Sequence, residues 1–270
     1  MSSGAKQLVQ IAKETVIGTV PSPFARQTLA FTDISLNQSV EKTESASITD
    51  NRLQQSSMIT SAEYSGELSA EAQYGAYDDL MAAAAFNAWA TNVLTFGGTT
   101  RQTFSVLLGY TDIANYHTFS GLHVNTFGID IPEAGLIGLT FGFMGTKRTT
   151  AAVAPVGTIT PASSNPRMSN ISVGDLLVDG ASVKGTACIT AFSFNWDNSM
   201  QVQKCLGAGL EVGAILEMSA KGTGSFTMAW STKAAELYEK QFTNGNISLS
   251  IPITDTAGNK YVLNIPKVEL

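Results

Sequence analysis

The chain has 270 residues, enough for one large domain or two ordinary ones. Its net charge of −6 excludes a protein that grips nucleic acid through clustered Lys and Arg. Charged residues make up 14%, against about 25% in an average soluble domain, and Ser, Thr, Ala, Gly and Asn fill the difference. A monomer normally keeps its surface charged, so this composition suits a protein whose surface meets other protein. An ordinary β-rich domain with a mild surface is the alternative.

Two cysteines, Cys188 and Cys205, are too few for a disulfide framework and lack metal-ligand spacing; they are expected as buried free thiols. The N-terminal MSSGAKQLVQIAKETVIGTV has no apolar core of the signal-peptide kind. The longest greasy run, AGLIGLTFGFMG (134–145), is too short and too glycine-rich to cross a bilayer. The expectation is a soluble protein made in a reducing cytosol.

In chain order, residues 1–23 are expected as a polar arm ending at Pro21-Ser22-Pro23, which stops any helix. SAEYSGELSAEA follows, then YGAYDDLMAAAAFNAWA, whose Ala and Leu density predicts a helix with Asp78 and Asp79 in its first turn, where the dipole favours anions. QTFSVLLGY, YHTFSGLHV, VNTFGIDIP and GLIGLTFGF predict strands separated by turns. TKRTTAAVAPVGTITPASSNP then reads as a linker. Beyond it ACITAFSFNW and GAILEMSAKGTGSFTMAW predict strands, STKAAELYEKQF a second helix, and ISLSIPI and KYVLNIPKV a closing hairpin around DTAGN.

The two halves echo each other. SAEYSGELSAEAQYGAYDDLMAAAAF is matched by EMSAKGTGSFTMAWSTKAAELYEKQF: Gly66 aligns with Gly224, Leu68 with Phe226, and Asp79-Leu80 with Glu236-Leu237. TFSV (103–106) matches SLSI (248–251), and Phe119 and Val124 match Leu263 and Val268. The echo settles an ambiguity in EYSGELSAE, where a glutamate every fourth place fits a helix turn or two strand repeats. GTGSFTMAW is a poor helix and a good strand, so its counterpart is expected as a strand. Glu63, Ser65, Glu67, Ser69 and Glu71 then share one face, opposite Tyr64, Gly66, Leu68 and Ala70. In the second half Glu217, Ser219, Lys221, Thr223 and Ser225 take the polar face.

No catalytic, metal-binding or cofactor-binding constellation stands out, and the chain is not expected to be an enzyme. His117 and His123 are expected as surface histidines on one strand face, with no nucleophile beside them. GAGLEVG (207–213) lacks the strand and helix context of a dinucleotide loop and predicts a turn. Asp78-Asp79 is explained by the helix N-terminus without general acid–base work. The aromatics alternate like core residues rather than forming a stacking platform.

QYGAYDDLMAAAAF, GYTDIANYHTFSGLHVN, the hairpin closing on FGFMG, LSIPITDTAGNKYVLNIPKV and the arm AKETVIGTVPSPF together resemble the major tail tube proteins of long-tailed, siphovirus-type bacteriophages, over nearly the whole chain. The resemblance implies a mainly β fold of duplicated tail-tube-type β-sandwich or barrel units, each with one flanking α-helix. It divides the chain into an N-terminal arm (1–23), a first tube unit (24–145), a linker (146–168) and a second tube unit (169–270). It implies a structural virion protein, made in the host cytoplasm, that self-assembles into stacked rings.

The implied partners are other copies of the chain, the tape measure protein, and the tail tip and tail terminator proteins. Double-stranded DNA would pass through without specific binding; no membrane is involved, and the family brings no catalytic residues. Single-unit members form six-fold rings, so a two-unit chain is expected to form a homotrimeric, pseudo-hexameric ring. Duplex DNA carries one charge per about 1.7 Å of axis, so a mildly acidic lumen lets it slide; Glu63, Ser65, Glu67, Ser69, Glu71, Glu217 and Ser219 are expected to face it. The alternatives are a β-sandwich carbohydrate-binding or adhesin module, and the tube protein of a contractile injection system.

Overall fold

The computed structural model describes residues 6–47, 55–243 and 245–270. The fold is mainly β, with two α-helices among the described residues. The first-half strands are β1 (Gln7–Lys13), β2 (Arg26–Thr28), β3 (Asp33–Ile34), β4 (Asn37–Glu44), β5 (Ser57–Glu71), β6 (Phe104–Tyr110), β7 (Asn115–Ile131) and β8 (Gly138–Gly145), with α1 (Asp78–Ala84) between β5 and β6. Then come β9 (Lys147–Ala151), β10 (Ile159–Thr160), β11 (Leu177–Val178), β12 (Ala181–Ser182), β13 (Ile189–Asp197), β14 (Gln201–Gln203), β15 (Ala214–Leu216) and β16 (Lys221–Met228). The chain continues through α2 (Thr232–Lys240) to β17 (Asn246–Thr254) and β18 (Lys260–Glu269).

A 12-stranded sheet runs β10-β2-β1-β6-β7-β8-β5-β3, with β4 on β5, β9 and β13 on β7, and β16 on β13. A four-stranded sheet runs β12-β11-β17-β18, and β14 and β15 form a ribbon. The core gathers Leu68, Tyr77, Leu80, Phe104, Phe119, Leu122, Phe141 and Met168 with the inward residues of β17. Strand β17 alternates cleanly, burying Ile247, Leu249, Ile251 and Ile253, the pattern of a strand with one wet face.

The expected strands YHTFSGLHV and VNTFGIDIP are one strand, β7, that serves two layers. Its first part pairs β6 and β9, and its second part pairs β8 and β13. The changeover lies at Gly121, whose φ of +63° suits glycine. A Cβ there would also meet the Thr146 hydroxyl. Buried Glu14 clamps this corner: its carboxylate accepts from the Gly121 and Gly18 amides (2.9 and 2.8 Å) and from the hydroxyls of Thr103 (2.9 Å) and Ser105 (2.7 Å).

Several expectations are corrected. The arm is not polar throughout: its first five residues lie outside those described, but Gln7–Lys13 form β1, paired along β6 with Val9, Ile11 and Ala12 buried. A short Leu-Val-Gln-Ile-Ala run suffices when both neighbours supply a ladder. The linker segment is strapped down by β9 on β7, by β10 on β2, and by Arg26 donating to the Pro155 carbonyl at 2.8 Å. Cys188 and Cys205 are free but exposed, because they sit in irregular segments flanking β13 and β14.

His123 is buried rather than on the surface, since the middle of β7 is covered on both faces. His117 is half-buried beside Arg148, 2.8 Å from its Nδ1. The GAGLEVG segment lies in the expected turn, between β14 and β15.

Candidate functional site

Strand β5 carries the alternation that its sequence predicts. Ala62, Tyr64, Leu68 and Ala70 are buried, Glu63, Ser65 and Glu67 are exposed, and Ser69 and Glu71 are partly exposed. Register extends this two-sided pattern across five strands. One polar row runs Glu67, Gly142, Thr126, Asp197, Lys221; the next runs Ser69, Thr140, Gly128, Asn195, Thr223. A third runs Glu71, Gly138, Asp130, Ser193, Ser225. Between them lie the core-side rows Leu68, Phe141, Phe127, Trp196, Gly222 and Ala70, Leu139, Ile129, Phe194, Gly224.

Aromatic and aliphatic side chains therefore hold the sheet from one side while the other presents only small or polar groups. Glycine flanked by threonine keeps that face low: a Cβ at Gly142 would meet the Thr126 hydroxyl, and one at Gly128 that of Thr140. The Ser193 and Ser225 hydroxyls bond across strands at 2.8 Å. Glu67, Glu71, Asp130 and Asp197 stand against Lys221 within these rows, so the face is acidic. Two carboxylates of β5 are tethered from outside the rows, Glu63 by Lys204 (3.1 Å) and Glu71 by Arg167.

The structure brings Glu63, Ser65, Glu67, Ser69 and Glu71 onto one face but leaves Glu217 and Ser219 off it. The expected strand through residues 213–230 breaks into β15 and β16, with 217–220 outside any strand. Glu217 instead takes a two-donor ion pair from Arg101, at 3.0 and 2.8 Å. Asp130, Asn195 and Asp197 complete the face and were missed. Alternation alone could have marked them, since FNWD places Asn195 and Asp197 on the face opposite Phe194 and Trp196.

The two halves are joined by specific polar contacts. Asn198 donates to the Ala84 carbonyl at the end of α1 (2.9 Å) and to the Val124 carbonyl (3.2 Å), while Trp196 donates to its side-chain oxygen. Tyr261 of β18 reaches the start of α1, donating to the Asp78 carboxylate and accepting from the Gly75 amide at 2.9 Å. Its ring lies 4.9 Å from Tyr74 and 6.5 Å from Trp89. Burial pushes the Asp78 carboxyl above its ordinary range, and the phenol of Tyr261 is raised by burial and by Asp78 itself.

Among the described residues no group of His, Cys, Asp or Glu is placed to hold a metal ion, and no helix is long and apolar enough to cross a membrane. What the geometry offers is a broad, two-sided sheet spanning both halves, and the family model for phage tail tube protein matches residues 4–269. The chain belongs to the phage tail tube protein family. No curated protein matches it. A tail tube protein is a structural component of the virion tail, a role that is not enzymatic.

Proposed function

We propose that this tail tube protein is of the long-tailed, siphovirus type. In this reading it closes into rings with the polar face of the 12-stranded sheet turned inward, and the rings stack into a conduit that holds the tape measure protein and later passes DNA. The observation that carries this is the unbroken polar ladder from β5 to β16, which crosses from the first half of the chain into the second. An acidic, low-relief wall repels the phosphate backbone and offers it no counterion-releasing contact. The inward residues are Glu63, Ser65, Glu67, Ser69 and Glu71, with Asn195, Asp197 and Thr223 supplying the part first expected of Glu217 and Ser219. Tape measure, tail tip and terminator proteins would meet the tube at its lumen and ends.

We further propose that the chain carries two tube units and that three copies complete a ring of six lobes. Support comes from the element order: β5-α1-β6-β7 recurs as β16-α2-β17-β18. A heterologous contact that closes on itself would occupy exposed strand edges, which otherwise invite uncontrolled pairing.

End-on averages of tubes from the purified chain, with lobes and chains counted per ring, test this reading. Three chains and six lobes are expected. Six chains per ring would keep the tube and remove the two-unit form, and a monomer that never assembles would remove both. The adhesin alternative has one observation in its favour, because Trp230, Tyr238 and Phe242 are exposed at 76%, 50% and 66%. These aromatics gather on and at the two ends of one helix rather than lining a loop-built groove.

A further inference from the structure

The two helices differ in what covers them. In α1, Leu80, Ala82, Ala83 and Ala84 are buried, and the turn leading into β18 lays Tyr261 over its first residues. In α2 only Leu237 is buried. An exposed aromatic run crosses it, from Trp230 just before the helix through Tyr238 on it to Phe242 in the turn just after it, with Trp230 and Tyr238 ring centres 6.0 Å apart and Tyr238 and Phe242 5.2 Å apart. A patch of this kind on a protein that forms tubes marks a contact surface.

The chain itself shows what kind of element covers such a helix. The turn over α1 reads Thr254-Asp255-Thr256-Ala257-Gly258-Asn259-Lys260-Tyr261 and joins β17 to β18. The turn joining β6 to β7 reads Thr111-Asp112-Ile113-Ala114-Asn115-Tyr116, the same phrase shortened by two residues, so that Tyr116 holds the place of Tyr261 and Ile113 that of Thr256. Its tip is exposed and carries an apolar residue, Ile113, 49% exposed. If one operation carries the first unit onto the second, the same operation carries the second onto the first unit of the next copy. It then carries the contact of the β17–β18 turn with α1 onto a contact of the next copy's β6–β7 turn with α2.

We propose that the Trp230–Tyr238–Phe242 surface around α2 is the docking site for the β6–β7 turn of a second copy of this chain, with Tyr116 in the place that Tyr261 takes at α1 and the exposed Ile113 beside it on the aromatics. The inference deepens the ring reading and rests on its two-unit form. Area sets the scale of the contact. The exposed parts of three aromatic side chains offer on the order of 400 Å², about half of what one partner buries in a stable interface. The patch is therefore the apolar centre of a larger contact, and the Asp112-to-Asn115 turn supplies polar surroundings for it. Head-to-tail use of two different surfaces also explains why one chain can carry both without pairing them internally.

The test uses the full chain with Cys188 and Cys205 changed to Ser, so that introduced thiols stand alone. Ile113→Cys and Tyr238→Cys are made separately, mixed, assembled into tubes, and treated with a short thiol-specific crosslinker. Covalent dimers should form at least tenfold more in the mixture than in either variant alone, and a chain carrying both changes should give a ladder. Tubes whose mixed crosslinking is no higher than that of the single variants would overturn this contact and leave the ring reading standing. If the parent chain with only the two Cys→Ser changes forms no tubes, both readings are overturned.

A second variant, Trp230→Ala with Phe242→Ala, alters only exposed side chains. It should raise the critical concentration for assembly about tenfold or more while leaving the subunit's unfolding midpoint in place. An unchanged critical concentration would overturn the proposal.

Discussion

Strands β7 and β18 hold matching positions in the two halves, yet they do different work. Strand β7 runs 17 residues, turns at Gly121 and belongs to two layers. Strand β18 runs 10 residues in one sheet and, among the described residues, pairs only β17. The helices follow suit: α1 is sunk into the core beneath Tyr261, and α2 shows Tyr238 and the flanking Trp230 and Phe242 to solvent. A shared element order therefore does not bring a shared burial pattern. The first half is finished inside the chain; the second, by our proposal, is finished by a neighbour.

The largest effect that can break this contrast lies at the β7 corner, which β18 lacks. Glu14→Ala would leave two amides and two hydroxyls without their acceptor in a buried site. At about 1–3 kcal/mol for each unsatisfied buried donor, partly relieved by water, a loss of about 3–5 kcal/mol is expected. Urea unfolding of the unassembled subunit measures it. A loss under about 1 kcal/mol would mean that the corner needs no clamp.

Next comes the contact between halves. Tyr261→Phe keeps the ring but removes the hydroxyl between Asp78 and the Gly75 amide, at an expected cost of about 1–2 kcal/mol. Tyr238→Ala on the exposed α2 should stay within about 0.5 kcal/mol in the subunit. Equal losses at the two tyrosines would erase the difference between the helices.

Much of this contrast could be read from the sequence, and what could not has physical causes. Period-two alternation placed both faces of β5, because a half-buried strand must alternate. Helix α2 was legible from STKAAELYEKQF, whose Ser231 hydroxyl accepts from the Ala234 amide as an N-cap. Helix α1 was overextended toward Trp89: it ends at Ala84, and Phe86 turns to a φ of +52° with its side chain in the core. Alanine-rich text carries no stop signal against such a tertiary pull. Strand β1 and the passage of β7 between layers depend on distant partners, β6 and β13, that no local window contains. The acidic rows were half visible, on β5 but not on β13, because the second half of the face is built by register.

A smaller effect concerns pH. His123 donates from Nδ1 to the Gly121 carbonyl at 3.0 Å, and its buried Nε2 has no hydrogen-bond partner among the described residues. Burial pushes its imidazole below the ordinary value, with Arg101 adding to the shift and Gly121, Glu14 and Glu217 opposing it. The unfolded chain then binds a proton below about pH 6.5 that the folded chain does not. Stability falls as pH drops through that window, by at most about 1.4 kcal/mol per pH unit. His123→Gln should flatten the urea midpoint between pH 7 and 5.5; identical slopes would show that other groups set it.

The smallest effect on the subunit is the one that speaks most directly to the polar face. Glu63, Glu67 and Glu71 lie on the surface, and the pairs to Lys204 and Arg167 are exposed, so their loss should cost about 0–1 kcal/mol each. Changing all three to Gln removes the acidic stripe of β5, and changing them to Lys reverses it. If this face lines the lumen, every ring repeats the change along the DNA path, and small local terms accumulate over the tube. Ejection from virions carrying the Gln form should be modestly slower and from the Lys form much slower, with the gap narrowing as salt screens the contact. A graded, salt-sensitive delay is the signature of a charged wall. Equal ejection rates for all three at low salt would place the face elsewhere, on the outside of the tube, and leave its small side chains to be explained by packing between copies.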